Sequence, residues 1–187
     1  PVPRVHGVAP AGVASDAPVV VMECVEGLVV DQMSVAESLP DSVRGALSLE
    51  IPRTLAAVHS VDLAAHGLDS LASHAPYAIR QVRRWSRQWA DSKTREPPAL
   101  DALTELLQRS APPQSRVSLV HGDFHIRNLI CDPDGGRVKA VLDWELATLG
   151  DPLADVGTML AYWTQPDDPS IGLFEGTSLA GFADRSA

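Results

Sequence analysis

The clearest indication of the fold comes from two segments, His121-Gly122-Asp123-Phe124-His125-Ile126-Arg127-Asn128 and, further along the chain, Asp143-Trp144-Glu145. Between the two, Asp132-Pro133-Asp134-Gly135-Gly136 separates two apolar runs and therefore predicts a β-hairpin, with glycine where a positive φ is needed. Asp123 is placed in a tight loop after a strand, Asn128 follows five residues later, and Asp143 follows the hairpin. A carboxylate, an amide and a second carboxylate are therefore the candidate functional groups.

These three side chains match the needs of phosphoryl transfer. That reaction requires a group that orients the attacking hydroxyl and accepts its proton, and oxygen ligands for Mg²⁺ that neutralise the developing charge. In the kinase arrangement, a loop aspartate is followed five residues later by an asparagine, and a metal-binding aspartate ends a later strand. Asp123, Asn128 and Asp143 have this order and spacing.

Three ordered motifs resemble the aminoglycoside phosphotransferase (choline kinase-like) family, which has the protein-kinase-like fold. The family pattern H-G-D-x-x-x-x-N, D-W-[DE] and G-D-P-x-x-D corresponds to residues 121–128, 143–145 and 150–155. The resemblance implies ATP, with GTP not excluded, and Mg²⁺ as cofactors, and a small-molecule hydroxyl as the phosphoryl acceptor. It implies Asp123 as the catalytic base, Asn128 and Asp143 as magnesium ligands, and Asp155 as the residue that holds the loop through its backbone amides. His121 is expected to support the loop by bonding its backbone, with a catalytic role as the alternative.

Two further segments resemble parts of related kinases. Residues 21–27 resemble the strand and hinge that pair with adenine, which implies that main-chain groups of Glu23, Cys24 and Val25 bind the nucleotide. Residues 80–89 resemble a subgroup related to the kinase domains that are fused to acyl-CoA dehydrogenases.

The resemblance implies an α+β chain that contains mostly the helical C-lobe of a protein-kinase-like fold. We expect residues 1–27 to form the end of the N-lobe and the hinge, and residues 28–187 to form the helical C-lobe with the catalytic loop and metal-binding hairpin. The Gly-rich loop, strand lysine and partner glutamate of such kinases have no counterparts before the hinge, since the only lysines are Lys93 and Lys139. We therefore expect this part, and the family's C-terminal helices, to be missing from the chain.

Hydrophobic spacing predicts the other elements. Residues 1–16 contain several prolines and glycines and are predicted to be a loop, whereas residues 19–24 have the β-branched pattern of a buried strand. Helices are predicted over 41–59, with a kink or break at Pro52, and over 76–91, with Trp85 and Trp89 in the core. Helices are also predicted to begin at Pro97-Pro98 and near Pro152, and a short strand is predicted at 117–120.

Composition argues against several classes of function. The net charge of −9 disfavours nonspecific binding to nucleic acid, which needs a basic surface. No apolar run approaches the ~20 residues of a membrane helix, and no secretory pattern begins at Pro1. Cys24 and Cys131 fit neither a disulfide framework nor a zinc site, and both are expected to be small buried side chains. We therefore expect a cytoplasmic protein that binds neither nucleic acid nor a membrane.

The charge distribution bears on the acceptor, because residues 76–116 carry eight basic and four acidic side chains between two acidic blocks. Arginine forks match phosphate and carboxylate groups, so Arg83, Arg84 and Arg87 are candidate contacts for an anionic or CoA-linked acceptor. The alternative is a solvated face, and a polycationic aminoglycoside would instead favour acidic walls. His125 is a candidate contact because it lies close to Asp123, with packing as the alternative role. The sequence leaves the oligomeric state open.

Two other functions are compatible with these residues. A nucleotide-binding pseudokinase would explain the absence of the lysine and Gly-rich loop, but the complete set of Asp123, Asn128 and Asp143 argues against it. A metal-dependent hydrolase is suggested by the alternation His121-x-Asp123-x-His125. Such a site would be expected to use further histidines downstream, and none follows His125.

Overall fold

The computed structural model describes residues 1–71, 76–169 and 174–186. Its strands are β1 (Val5–Ala9), β2 (Val19–Met22), β3 (Ser118–Val120), β4 (Leu129–Cys131), β5 (Val138–Val141) and β6 (Thr148–Gly150). Its α-helices are α1 (Met33–Ser38), α2 (Asp41–His59), α3 (Tyr77–Ser92), α4 (Pro98–Ser110) and α5 (Leu153–Ala161). Short 3-10 turns lie at Asp69–Leu71, Ile126–Asn128, Trp144–Leu146 and Gly176–Ser178.

The core forms around one face of α2. Leu47, Ile51 and Leu55 recur at helical spacing and are buried, and they belong to the same apolar cluster as Phe124 and residues of β4 and β5. The helix predicted here is confirmed, and of the two outcomes predicted at Pro52 the break is wrong, because α2 runs through this residue. The kink stays a prediction. Pro52 lies on the exposed face. The buried side chains on either side of it keep both halves of the helix on the same core.

The strands form three separate antiparallel pairs, β1–β2, β3–β6 and β4–β5. The predicted hairpin is confirmed as β4–β5, with Leu129 opposite Val141. In its turn, the Gly136 N–H donates to the Asp132 carbonyl oxygen, and Gly136 has a φ of 60°. The β3–β6 pair joins Val120, the residue before the His121 loop, to a strand that ends just before Asp151. These two strand pairs therefore position all three motifs identified in the sequence.

The first 16 residues are not a loop throughout, because β1 pairs with β2. Gly7 and a register irregularity after Val5 interrupt the apolar pattern of β1, which explains why no strand was predicted there. The strand predicted at β2 is confirmed, but its predicted burial is wrong, since Val20, Val21 and Met22 are exposed. Within the described residues this sheet has only two strands, so each of them is an edge strand.

Helices α3 and α4 pack against each other outside the main core. Both helices were expected, but the predicted burial of the tryptophans is wrong. Trp85 is 47% exposed and Trp89 is half-buried. The two tryptophans lie on one face of α3, as their spacing predicts. This face lines a groove of about 420 Å³ between α3 and α4 instead of the core.

The segment 174–186 is attached to the start of α2. The buried guanidinium of Arg44 donates to the carbonyl oxygens of Ala36, Glu37 and Ala180 at 2.7–3.1 Å. The Trp163 indole N–H donates to the Ala183 carbonyl oxygen at 2.9 Å. None of the helices in the described ranges is both long and apolar enough to span a membrane.

Candidate functional site

The loop of residues 121–128 begins with a turn that requires glycine. Gly122 has a φ of 88°, in the region that L side chains rarely adopt. A Cβ atom at this position would lie 2.6 Å from the carbonyl oxygen of Leu146. The main chain therefore passes so close to the 144–146 turn that no side chain fits between them.

A buried carboxylate holds the backbone of this turn. Asp155, in the first turn of α5, is fully buried and accepts hydrogen bonds from the N–H groups of His121 and Gly122, both at 2.8 Å. The ring nitrogen Nε2 of His59, the last residue of α2, lies 2.9 Å from Asp155 Oδ2. The sequence patterns gave His59 no role, because this contact joins residues 96 positions apart. Three donors thus converge on one carboxylate beneath the loop.

The His121 ring connects the loop to the segment that carries Asp143. The ring is fully buried, and its Nδ1 accepts a hydrogen bond from the Asp123 N–H at 3.2 Å. Its Nε2 lies 2.8 Å from the Leu142 carbonyl oxygen, so the partners assign the proton to Nε2. Both ring nitrogens are therefore bonded to main-chain groups.

The Asp123 carboxylate lies between two side chains of its own loop. The amide nitrogen of Asn128 donates to Asp123 Oδ2 at 3.2 Å and to the Asp123 carbonyl oxygen at 2.9 Å. His125 Nε2 lies 3.3 Å from Oδ1. Burial lowers the pKa of His125 below its ordinary value and outweighs the opposing effect of the Asp123 charge, so the imidazole is neutral at pH 7. The Asp123 side chain is one-third exposed and accessible from the surface.

Asp143 lies at the same end of the β4–β5 hairpin as Asn128. The Leu142 N–H donates to the Asn128 carbonyl oxygen at 2.8 Å, next to the Leu129–Val141 pair. Asp143 is exposed and has left-handed backbone angles (φ 63°, ψ 56°), which no other non-glycine residue in the described ranges shares. Such a conformation is unfavourable by about 1 kcal/mol or more and is often found at functional sites.

The residues predicted to bind adenine follow β2 and precede Leu28, which pairs with β4. The Glu23 N–H donates to the Arg4 carbonyl oxygen at 2.8 Å, so this donor is already used within the β1–β2 pair. Cys24 is exposed, contrary to the predicted burial, whereas Cys131 is buried as predicted. Leu28 exchanges backbone hydrogen bonds with Cys131. Val25 is half-buried between these two attachments.

The three arginines proposed from the sequence face different directions. Arg84 lines a cavity of about 400 Å³ that also contains Trp85, Gly122 and Asp151. Arg83 and Arg87 are exposed, and each is two residues from Trp85, which places them about 160° away around the helix axis. Helix α3 therefore brings Arg84, and neither of the other two arginines, to the cavity beside the loop.

The family model that matches residues 1–183 is that of the phosphotransferase enzyme family. The chain belongs to this family. Among curated relatives, acyl-CoA dehydrogenase family member 10 of Mus musculus is 39% identical over 172 residues, covering 91% of this chain and 16% of that protein. Acyl-CoA dehydrogenase family member 11 of Gallus gallus is 43% identical over 146 residues, covering 78% and 18%. The subgroup resemblance is confirmed, and this phosphotransferase chain spans less than a fifth of those relatives' length.

Solved structures confirm the α+β, protein-kinase-like fold of this phosphotransferase. A candidate aminoglycoside phosphotransferase from Ralstonia eutropha is 33% identical, with a TM-score of 0.80 over the whole of this chain and 57% of that one. A thermostable mutant of aminoglycoside phosphotransferase APH(4)-Ia, in complex with ADP and hygromycin B, is 21% identical with a TM-score of 0.61. The match covers 87% of this chain and 55% of that one.

Proposed function

We propose that this chain is the catalytic C-lobe of a kinase that transfers the γ-phosphoryl group of ATP to a hydroxyl group of a small molecule. One observation carries the proposal: Asp123 is hydrogen-bonded to Asn128 in a loop that His121 connects to the segment of Asp143. The three residues that the chemistry requires therefore lie on two segments that hydrogen bonds join, the loop of Asp123 and Asn128 and the segment of Asp143. Residues 1–27 would supply the end of the N-lobe and the hinge, and residues 28–187 the C-lobe.

Asp123 is the proposed catalytic base. Its carboxylate would accept the proton of the acceptor hydroxyl as the hydroxyl oxygen bonds to the γ-phosphorus. The bond between that phosphorus and the β–γ bridging oxygen would break, and ADP would leave. The carboxylate suits this role because it is fixed by the loop and accessible to a ligand.

Asn128 and Asp143 are the proposed magnesium ligands. The Asn128 amide nitrogen is bound by Asp123, which orients the amide so that its Oδ1 is the atom left for a metal. An amide oxygen and an exposed carboxylate at the same hairpin end are the hard oxygen donors that Mg²⁺ prefers. When bound, the ion would neutralise charge on the transferring phosphoryl group.

The proposed nucleotide site extends along β4 from the hinge to Asn128. Leu28 pairs with Cys131 at one end of this strand, and Asn128 lies at the other, roughly 10 Å away at the usual rise of a strand. The adenine would bind main-chain groups of Cys24 and Val25 and the carbonyl group of Glu23, since the Glu23 N–H is occupied. Solved relatives of this fold contain ADP in one case and GDP in another, so ATP is proposed with GTP as an alternative.

The acceptor is proposed to be anionic or CoA-linked. Arg84 lies in a cavity whose wall includes Gly122, the residue before the proposed base. Its guanidinium group would bind a phosphate or carboxylate in a fork-like arrangement. The names of the curated relatives, acyl-CoA dehydrogenase family members 10 and 11, agree with a CoA-linked acceptor. A cytoplasmic location is proposed as well, because both cysteines are free thiols.

A metal-dependent hydrolase is the weaker proposal. It would need His121 as a metal ligand, but both nitrogens of this ring are bonded to main-chain groups of Asp123 and Leu142. Releasing Nε2 would break the connection between the loop and the Asp143 segment, and releasing Nδ1 would break a hydrogen bond within the loop.

Phosphoryl transfer from γ-labelled ATP tests the proposal in the full-length protein. A hydroxybutyryl-CoA and hygromycin B would serve as competing acceptors, and we expect label on the CoA compound. Asp123→Asn should lower kcat by about 10²–10⁴-fold while the nucleotide affinity barely changes. Asp134→Asn, an exposed turn aspartate, is the matched control. Nucleotide binding without any transfer or hydrolysis would favour the pseudokinase.

A further inference from the structure

The ring of His125 is held beside the proposed base by only one of its nitrogens. The side chain is 5% exposed, and Nε2 lies 3.3 Å from Asp123 Oδ1. Its Nδ1 is buried and has no hydrogen-bond partner in the described part of the chain. Nε2 also lies 3.5 Å from the amide nitrogen of Asn128. Contacts at one nitrogen alone do not fix the plane of an imidazole, because the ring can still pivot about that nitrogen. Another contact must therefore set the ring's orientation.

Tyr162 supplies that contact. Its ring stacks on the imidazole of His125, with ring centroids 3.9 Å apart and planes inclined by 21°. Tyr162 is the residue immediately after α5, whose first turn carries Asp155. The first turn of α5 therefore binds the loop backbone at residues 121–122, through Asp155. The residue after the last turn, Tyr162, contacts the loop side chain of His125.

With His125 included, each oxygen of the Asp123 carboxylate has its own neighbour. Asn128 donates to Oδ2, and His125 Nε2 faces Oδ1. Nε2 must carry a proton here, since an unprotonated nitrogen would direct its lone pair at a carboxylate oxygen. A carboxylate with a polar neighbour at each oxygen is restricted in its rotation about the Cβ–Cγ bond. It therefore presents a preferred direction to an approaching hydroxyl group.

We propose that His125 and Tyr162 are positioning residues that together orient the Asp123 carboxylate toward the acceptor hydroxyl. This inference rests on the proposed function of Asp123 and assigns Tyr162 a role that the sequence did not suggest. The burial of His125 favours positioning over direct contact with the acceptor. Orientation matters at this point, since a displacement of the reacting groups by 1 Å can lower a rate by about 100-fold.

The test uses ADP release from Mg·ATP by the full-length protein, with water as the phosphoryl acceptor. His125→Leu removes the donor, and kcat should fall about 10–100-fold while the KM for ATP changes less than about twofold. His125→Gln places an amide N–H near the position of Nε2 and should recover most of the loss. His125→Asn, whose amide does not reach that position, should not. His66→Leu, a change of an exposed histidine, is the control with unchanged kcat.

Variants of Tyr162 separate the stacked ring from the hydroxyl group. Tyr162→Phe keeps the ring and should turn over within about threefold of the original protein, whereas Tyr162→Leu should lose about tenfold in kcat. Thermal unfolding identifies any variant that fails to fold. If a leucine variant fails to fold, His125→Gln is compared with His125→Asn, and Tyr162→Phe with the original protein. Equal kcat of His125→Gln and His125→Asn would then overturn the positioning role.

Combination with Asp123→Asn distinguishes this inference from the function on which it rests. If His125 acts through Asp123, His125→Leu should cause no further loss in the Asp123→Asn background. Losses that multiply, or an effect of His125→Leu on the KM for ATP alone, would overturn the positioning role and leave the base intact. Near-normal turnover of Asp123→Asn by itself would overturn both.

Discussion

Burial makes the two cysteines chemically different. Burial raises the pKa of Cys131 to about 12, so almost none of this thiol is ionised at neutral pH, whereas Cys24 is exposed after β2. Because the thiolate is the reactive form, iodoacetamide at pH 8 should modify Cys24 in the native protein and leave Cys131 unmodified. Peptide mass spectrometry of the full-length protein measures both sites. Equal labelling of the two in the native state would contradict the burial of Cys131.

Gly122 combines a left-handed backbone with a close contact, and Gly12 is a control that has the first of these without the second. Gly12 has a similar φ of 86°, but a Cβ atom there would meet nothing within 4 Å. Gly12→Ala should therefore cost only the conformational strain, about 1 kcal/mol of unfolding free energy. Gly122→Ala adds the clash with Leu146 and should cost more than about 3 kcal/mol.

Denaturant unfolding of the two glycine variants measures this difference. Equal losses at positions 12 and 122 would mean that the turn does not approach the 144–146 segment as closely as described.

At the scale of elements, α2 carries leucines with opposite surroundings two residues apart. Leu47 is fully buried against the core, whereas Leu49 is 57% exposed. Leu47→Ala should lower the free energy of unfolding by about 2–5 kcal/mol because it leaves a cavity. Leu49→Ala on the same helix should change it by less than about 0.5 kcal/mol. Chemical denaturation of both variants checks the orientation of the helix; a similar loss at both positions would contradict it.

The faces of α3 predict unequal roles for its arginines. Arg84→Gln should raise the KM for a hydroxybutyryl-CoA acceptor about tenfold, because a fork-like contact to an anion is lost. The double variant Arg83→Gln/Arg87→Gln has the same chemistry on the exposed face and should leave the KM within about twofold. Steady-state kinetics with varied acceptor measures both. A larger effect of the double variant would move the acceptor to the other side of the helix.

The elements that were predicted correctly have a clear pattern within their own residues. The spacing of Leu47, Ile51 and Leu55 was sufficient to predict α2 and its buried face, and the Asp132–Gly136 turn was sufficient to predict the β4–β5 hairpin. In contrast, β1 and β6 are defined by pairing with distant partners and have weak patterns of their own. The exposure of Trp85 could not be predicted, because an apolar stripe does not specify what covers it.

At the scale of the whole molecule, Arg44 joins three segments. Its guanidinium group satisfies carbonyl oxygens near the end of α1 and at Ala180 in the C-terminal segment. Arg44→Leu should lower the free energy of unfolding by about 2–4 kcal/mol, because these acceptors lose their donors. Arg53→Leu, an exposed change on the same helix, should have little effect. Thermal or denaturant unfolding measures both variants. Equal stability of the two would contradict the role of Arg44 in joining these segments.

The candidate site was predictable only in part, because residues far apart in the sequence support it. Asp123, Asn128 and Asp143 fall within 21 residues, so their spacing was visible in the sequence. The side chains that hold them come from further away. His59 and Asp155 are 96 residues apart, and the stacking of Tyr162 on His125 depends on where α5 ends. Tertiary contacts of this kind have no pattern in a single sequence.

The support of the loop by both ends of α5 has a consequence for how the protein is made. The ribosome synthesises Asp123, Asn128 and Asp143 before it adds Asp155 and Tyr162. A nascent chain that ends near residue 150 thus contains the proposed base and metal ligands, but its Gly122 amide has no carboxylate to bind. Domains fold as units during synthesis. The loop of the proposed base can therefore reach its final structure only after Asp155 and Tyr162 have been added. A stalled or prematurely terminated chain would therefore have no phosphotransferase activity, although it already contains the proposed base and metal ligands.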